Sequence, residues 1–200
     1  KLYEIEYLTL FHASEQFLSR RQSGALKPKA KLFLNSIANI CLNDADWSAY
    51  YDRYQDLLPQ VVIEITEEEA PDSTLLDRKR RLMSGVGEFA LDDYGSGYSN
   101  SNTLLELAPA YIKVDIGIVG GIDADPDKQQ VAEGIISYAH DHGMKIVAEG
   151  IETASELRTV IALGADLLQG YFLARPAAEP ADIAPEARQI IDEMWNNRTE

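Results

Sequence analysis

The chain has 200 residues, 46% of them hydrophobic and 26% charged, with a formal net charge of -15 and a single cysteine. That length carries one domain with a sizeable core, and the lone Cys41 excludes an internal disulfide and a cysteine metal cluster. The acidity repels DNA and RNA polymers, and no run approaches the roughly 18 apolar residues of a membrane span, so no membrane contact is expected from this segment. No basic-then-apolar leader opens the chain, which makes the cytoplasm the expected location.

In chain order, Leu2, Ile5, Leu8, Leu10 and Phe17 recur at roughly helical spacing and predict an opening helix over 1–21. A strand over 31–35 follows, then a helix over 46–58 capped by Asp44 or Asp46. A strand over 61–65 precedes a helix over 73–83, and Gly85 and Gly87 punctuate the turn into a strand over 89–91. Beyond a glycine-rich loop, a helix over 102–107 leads to a strand over 111–114. Asp125 and Pro126 supply an N-cap and a first-turn proline for a helix that ends near Gly143. A strand over 145–148, a helix over 154–163, a strand over 166–169 and a last helix over 185–195 complete the series.

Alternating helices and near-continuous apolar strands predict a parallel sheet covered by helices. Six apolar runs end in polar residues: Asn35, Glu64, Asp92 with Asp93, Lys113, Glu149 and Gln169. A doubly wound sheet concentrates its site at one switch point behind a glycine fingerprint, whereas a β/α barrel collects the carboxyl ends of all its strands. The distribution therefore favours an α/β fold of the barrel kind. Six strands fall short of the usual eight or so, and the chain opens inside a helix, so the first strands of the barrel are expected to be missing here.

Each motif has a plain reading beside a chemical one. IEITE sets Glu64 between two isoleucines and Glu67 just beyond the strand; an ionised glutamate there is costly unless paired or bound to a metal, the alternative being a solvated edge-strand face. In LDDYGSGYS, Asp92 and Asp93 repel each other unless divalent cations neutralise both, and Gly95 and Gly97 permit a tight loop; an Asp-rich turn is the plainer reading. Taken alone, Lys113 in YIKVD snorkels outward, while in a polar barrel interior it holds an anion or a water. AEGIE supplies Glu149 and Glu152 around a turn at Gly150, although Glu152 with Thr153 also reads as a helix entry. QGYFLARP brings Gln169, which alone reads as a loop amide, and Pro176. His12, His140 and His142 are assigned no chemistry, and Cys41 reads as a small buried hydrophobe.

The ordered set NSIAN, IEITE, LDDYGSGYS, IKVD, AEGIET and QGYFLARP, spread over residues 2–176, resembles the EAL family of cyclic di-GMP phosphodiesterases. The resemblance implies a modified TIM-like β/α barrel and hydrolysis of one phosphodiester bond of cyclic di-GMP to linear pGpG. It implies that Asn35, Glu64, Asp92 and Asp93 are metal ligands, with Asp92 bridging and Asp93 serving a second ion. Lys113 is similar to the family lysine beside the catalytic water, Glu149 to the carboxylate proposed as base or metal-site partner, and Glu152 to a further site carboxylate. Gln169 resembles the site glutamine; Asp93, Gln169 and Pro176 are the implied substrate contacts, and Glu67 the implied anchor of the loop carrying Gly95 and Gly97. All-oxygen ligation suits Mg2+ or Mn2+, and two ions about 4 Å apart activate a bridging water and stabilise the leaving oxygen.

The Glu-Ala-Leu motif that names the family, and whose glutamate is a metal ligand there, does not occur in this chain. The expectation is therefore a single domain over 1–200 that is amino-terminally incomplete. An open barrel that truly ended there would expose sheet edges and core. The alternative function is a degenerate domain acting as a non-catalytic cyclic di-GMP receptor or protein-interaction module. The implied partner is cyclic di-GMP, and the resemblance allows a homodimer and an upstream sensory or signalling domain.

Overall fold

The structure, a computed structural model, describes residues 1–66, 73–84, 87–96, 101–179 and 181–196, without the side chains of 101, 102 and 196. The chain divides into two compact units, Lys1–Leu91 with Asn100–Pro109, and Asp92–Ser99 with Ala110–Glu200. No helix among the described residues is long and apolar enough to cross a membrane.

The first unit opens with α1 (Leu2–Gln22), followed by β1 (Leu32–Asn35), α2 (Asp44–Tyr54), β2 (Val61–Thr66), α3 (Ser73–Met83), the first half of β3 (Glu88–Tyr94) and α4 (Ser101–Leu107). The strand order is β1-β2-β3. β1 and β2 are parallel, in a register running from Leu32 opposite Val61 to Asn35 opposite Glu64. Val61, Val62 and Ile65 are fully buried, as β-branched residues in a strand covered on both faces should be.

The opening helix forms as expected, with an inner face that its apolar spacing does not show, and the cap and bounds of α2 need correction. Of the five apolar positions that predict α1, only Leu10 and Phe17 are buried; Leu2, Ile5 and Leu8 are exposed, and the inward face is completed by Glu6 and Ser14. Polar residues take those places because partners wait there: Ser14 Oγ lies 2.7 Å from Tyr50 Oη, and Glu6 pairs with Lys79 at 3.0 Å. The cap of α2 is Asn43 rather than either aspartate, its side chain accepting from Asp46 N at 2.9 Å, and the helix ends at Tyr54, with a separate 3-10 turn at Leu58–Gln60 ahead of β2. Proline in the first turn of that short helix fixes the break. Gly85 lies outside the described residues.

The second unit takes the remainder of β3, then β4 (Tyr111–Val114), α5 (Ile116–Val119), α6 (Pro126–Asp141), β5 (Lys145–Ala148), α7 (Ala154–Leu163), β6 (Leu167–Leu168) and α8 (Pro185–Asn196). The strand order is β3-β4-β5-β6, with β4, β5 and β6 parallel. Asp125 caps α6 as expected, accepting from Asp127 N and Lys128 N. α7 starts on a full capping box: Thr153 Oγ1 accepts from Glu156 N, and Glu156 Oε2 accepts from Thr153 N. The one-turn α5 was not expected, because Gly117 and Gly120 disguise it; Asp115 caps it by accepting from Gly117 N at 2.7 Å.

Candidate active site

Three neighbouring strands of the second unit bring their carboxyl ends together. Asp92 and Asp93 lie in β3, Lys113 in β4, and Glu149 directly after β5. Backbone bonds keep these ends in step: Asp115 N donates to Tyr94 O at 3.2 Å, Glu149 N to Val114 O at 3.1 Å, and Gln169 N to Ala148 O at 2.9 Å. Parallel pairing therefore sets these polar termini of the second unit on the same edge of its strands.

Lys113 does not snorkel. It is 5% exposed, its ammonium donates to Asp92 Oδ1 at 2.7 Å, and it stands 3.0 Å from Glu149 Oε1. Two carboxylates within ion-pairing distance offset the loss of water around the charge, which solvent could do only if the side chain left the strand. Oxygens of Asp92, Asp93 and Glu149 all lie within 4.8 Å of one another, and two of these carboxylates, Asp92 and Glu149, flank the ammonium. A hard divalent cation fits this donor set, since all three donors are oxygens and the local charge favours it.

The backbone around the cluster is shaped to hold it. Asp93 has a positive φ of 55° and donates its N–H to Asp92 Oδ1 at 3.1 Å. Gly95 follows at φ 96°, as the loop motif requires, while Gly97 lies outside the described residues. Gly150, at φ 69°, lets the chain leave β5 beside Ile116: a Cβ there would sit 2.4 Å from Ile116 Cγ1. Glu156 secures the far side of the same loop, accepting from Gly121 N at 2.7 Å and from Glu152 N and Thr153 N at 2.9 Å each. Burial alone would raise its carboxyl pKa, but these backbone donors outweigh that and hold it below the usual range.

An open cleft of about 620 Å³ in this unit takes in Asp93, Glu149, Glu152, Gln169 and Pro176. Those five expected residues thus share one cleft, while Lys113 and Asp92 are buried behind Glu149, to which Lys113 pairs. Sequence reasoning missed three residues of the cleft. Asp115 is signalled only by its position ahead of a short apolar run. Tyr171 and Arg175, whose guanidinium sits 4.7 Å from the Tyr171 ring centre, lie inside a motif read for its glutamine and proline alone.

In the first unit Asn35, the last residue of β1, stands opposite Glu64 within β2, and Ser36 N donates to Glu64 O at 3.0 Å. Glu64 is only 6% exposed, which overturns the solvated edge-strand reading. Glu67 lies outside the described residues. Cys41 is half-buried rather than fully so, its thiol pKa raised by burial against the opposing pull of Lys79 and Arg78. His140 Nε2 lies 3.0 Å from Asp166 Oδ2, a surface pair remote in role from the cleft.

Parallel β/α units whose strand ends present clustered carboxylates, a buried lysine and an open cleft define an α/β domain with a donor set suited to a divalent cation. The family model for the EAL domain matches residues 3–176, and the chain belongs to that family. It is 35% identical over 122 residues to the cyclic di-GMP phosphodiesterase RocR of Pseudomonas aeruginosa, a match taking in 60% of this chain and 31% of that protein. Among solved structures it is similar to a standalone EAL protein of Vibrio cholerae in its c-di-GMP-bound form, with TM-score 0.77 and 26% identity over 93% of this chain and 79% of that one. Klebsiella pneumoniae BlrP1 in its calcium/cy-diGMP complex superposes with TM-score 0.74 at 27% identity, covering 90% of this chain and 47% of that one. Its manganese/cy-diGMP complex gives 0.70 at 26%, covering 85% and 44%. The matches span between 16% and 31% of the length of the first curated relatives. The structural likeness carries the α/β, TIM-like fold class expected from the sequence.

Proposed function

We propose that the protein is a metal-dependent phosphodiesterase that hydrolyses cyclic di-GMP to linear pGpG in bacterial second-messenger signalling. The observation that carries this is the buried Lys113 between Asp92 and Glu149, with Asp93 completing a carboxylate cluster beside an open cleft. The names of the relatives, and the bound ligands of the similar structures, point the same way.

Asp92 and Asp93 offer the oxygen donors for a divalent cation in the second unit, with Glu149 beside them, and Asn35 and Glu64 keep the ligand role that the family resemblance gives them. Mg2+ or Mn2+ is the proposed ion. When bound, such an ion supplies neutralisation of phosphate charge and a more acidic water. Lys113 holds the carboxylates of Asp92 and Glu149 at fixed separation and presents positive charge toward the phosphoryl oxygens, which carry the negative charge of the transition state. Glu149 takes the proton of the attacking water. Water oxygen bonds to one phosphorus, that P–O3′ bond breaks, and the leaving oxygen is protonated from solvent. Gln169, Glu152 and Pro176 line the cleft where the rest of the dinucleotide is held. The proposal places the domain in the cytoplasm and takes a dinucleotide rather than a polymer as ligand, in keeping with the net charge of -15.

Incubation with cyclic di-GMP and Mg2+ or Mn2+, followed by chromatographic separation of the nucleotides, tests this directly. Appearance of pGpG supports it. Tight cyclic di-GMP binding with no pGpG from the chain in its full natural protein makes the domain a receptor and removes the roles given to Lys113 and Glu149.

A further inference from the structure

The first unit contains a buried ion pair that the proposed reaction does not use. Glu6 of α1 and Lys79 of α3 are 3% and 6% exposed, and their side chains meet at 3.0 Å. Both spend their remaining hydrogen bonds on the same two residues. Glu6 Oε1 accepts from Ser36 Oγ at 2.5 Å and Glu6 Oε2 from Ile37 N at 2.9 Å. Lys79 Nζ donates to Ser36 Oγ at 2.5 Å and to Ile37 O at 2.8 Å. Ser36 and Ile37 follow Asn35, the last residue of β1, and Asn35 shares a cleft of about 240 Å³ with Glu6, Ser36, Ile37 and Thr66.

Burying two opposite charges is a poor route to stability, because apolar residues of the same volume usually serve the core as well or better. What the pair provides is direction. Helices on either side of the turn grip its hydroxyl, its N–H and its C=O at once, which leaves the backbone beyond Asn35 no freedom to rotate. Ser36 N is meanwhile tied to Glu64 O, so the turn is fixed against β2 as well.

We propose that Glu6 and Lys79 are positioning residues for the Asn35 side-chain amide, holding it in register beside Glu64 for a divalent cation. This rests on the ligand role proposed for Asn35. The pair acts as outer-sphere partners of metal ligands act elsewhere, by orienting a donor it does not replace.

The test is Mn2+ affinity of the full chain, read from loss of the free-ion EPR signal, together with the thermal midpoint. Glu6→Gln leaves a buried ammonium without its counter-charge, whereas Glu6→Leu with Lys79→Met removes both charges at similar volume. The double variant leaves no unpaired charge and is expected to melt above Glu6→Gln, though the Ser36 and Ile37 groups lose their partners, and to bind Mn2+ on the order of 10–100-fold more weakly than the parent. Glu6→Gln, measured at low temperature, is expected to weaken binding too and reports on its own if the double variant does not fold. Asn35→Ala is expected to weaken Mn2+ binding similarly, and adding Asn35→Ala to the charge-free pair is expected to cost nothing further, as residues acting through one group are not additive. Unchanged Mn2+ affinity in the double variant, or losses that simply multiply with Asn35→Ala, overturns the positioning role. Unchanged affinity in Asn35→Ala alone overturns the ligand assignment of Asn35 and the inference with it.

Discussion

Lys113 Nζ lies 2.7 Å from Asp92 Oδ1, and both side chains are buried at neighbouring strand ends. A lysine committed so closely to one carboxylate, with Glu149 at 3.0 Å on its other side, sets the spacing of the two acids as well as their charge. Lys113→Ala is expected to lower turnover of cyclic di-GMP by about 100- to 10,000-fold, the range for removal of a positioned charge or proton-handling group. Steady-state rates by chromatography check this, and full activity in that variant refutes the role.

Gly150 leaves β5 at φ 69° with Ile116 against its α-carbon. Gly150→Ala meets both a strained backbone and a side chain at 2.4 Å, and a loss of about 1–3 kcal/mol is expected. Ile116→Ala in the same background relieves the contact but not the φ, so urea denaturation of the single and double variants separates the two costs.

Glu156 is held below the ordinary carboxylate range in the folded chain by the donors from Gly121, Glu152 and Thr153. The unfolded chain therefore takes up this proton at higher pH than the folded one. The stabilisation is fully present above the unfolded pKa and is lost as pH falls through the folded value. Glu156→Gln is expected to lower the melting temperature near neutral pH and to flatten its fall on acidification. A parallel downward shift at every pH would show that the carboxylate contributes no linkage.

Tyr54 is pushed up to about 12, first by burial and then by its hydrogen bond to Glu15 Oε2 at 2.9 Å. Its contribution to stability is fully present below the ordinary tyrosine pKa and is lost as pH rises through about 12. Ultraviolet titration of the parent and Tyr54→Phe is expected to differ by one late-ionising phenol; a difference centred near the ordinary value would contradict the packing of α2 on α1.

Much of this was legible in the sequence where local pattern decides. β4 was read to the residue because its apolar run is bounded by a proline-containing turn and a capping aspartate, and α6 because Asp125 and Pro126 announce it. The polar strand ends were legible as a group. The direction of Lys113 was not, since it depends on Asp92, which lies 21 residues away. The inner face of α1 was not legible for the same reason: Glu6 is buried where Lys79 meets it from 73 residues further along, and no periodicity rule carries that information. α5 stayed hidden behind two glycines, with only its aspartate cap to betray it.

The left-handed backbone of Asp93 is a conformation that glycine would adopt with less strain. Replacing the aspartate by glycine would relieve on the order of 1 kcal/mol of local strain while deleting a carboxylate from the cleft. Under the proposed function, selection for thermal robustness and selection for catalysis therefore pull in opposite directions at this one position. A laboratory search for more heat-resistant versions of the protein, run without an activity screen, should drift there first and produce a sturdier but silent domain.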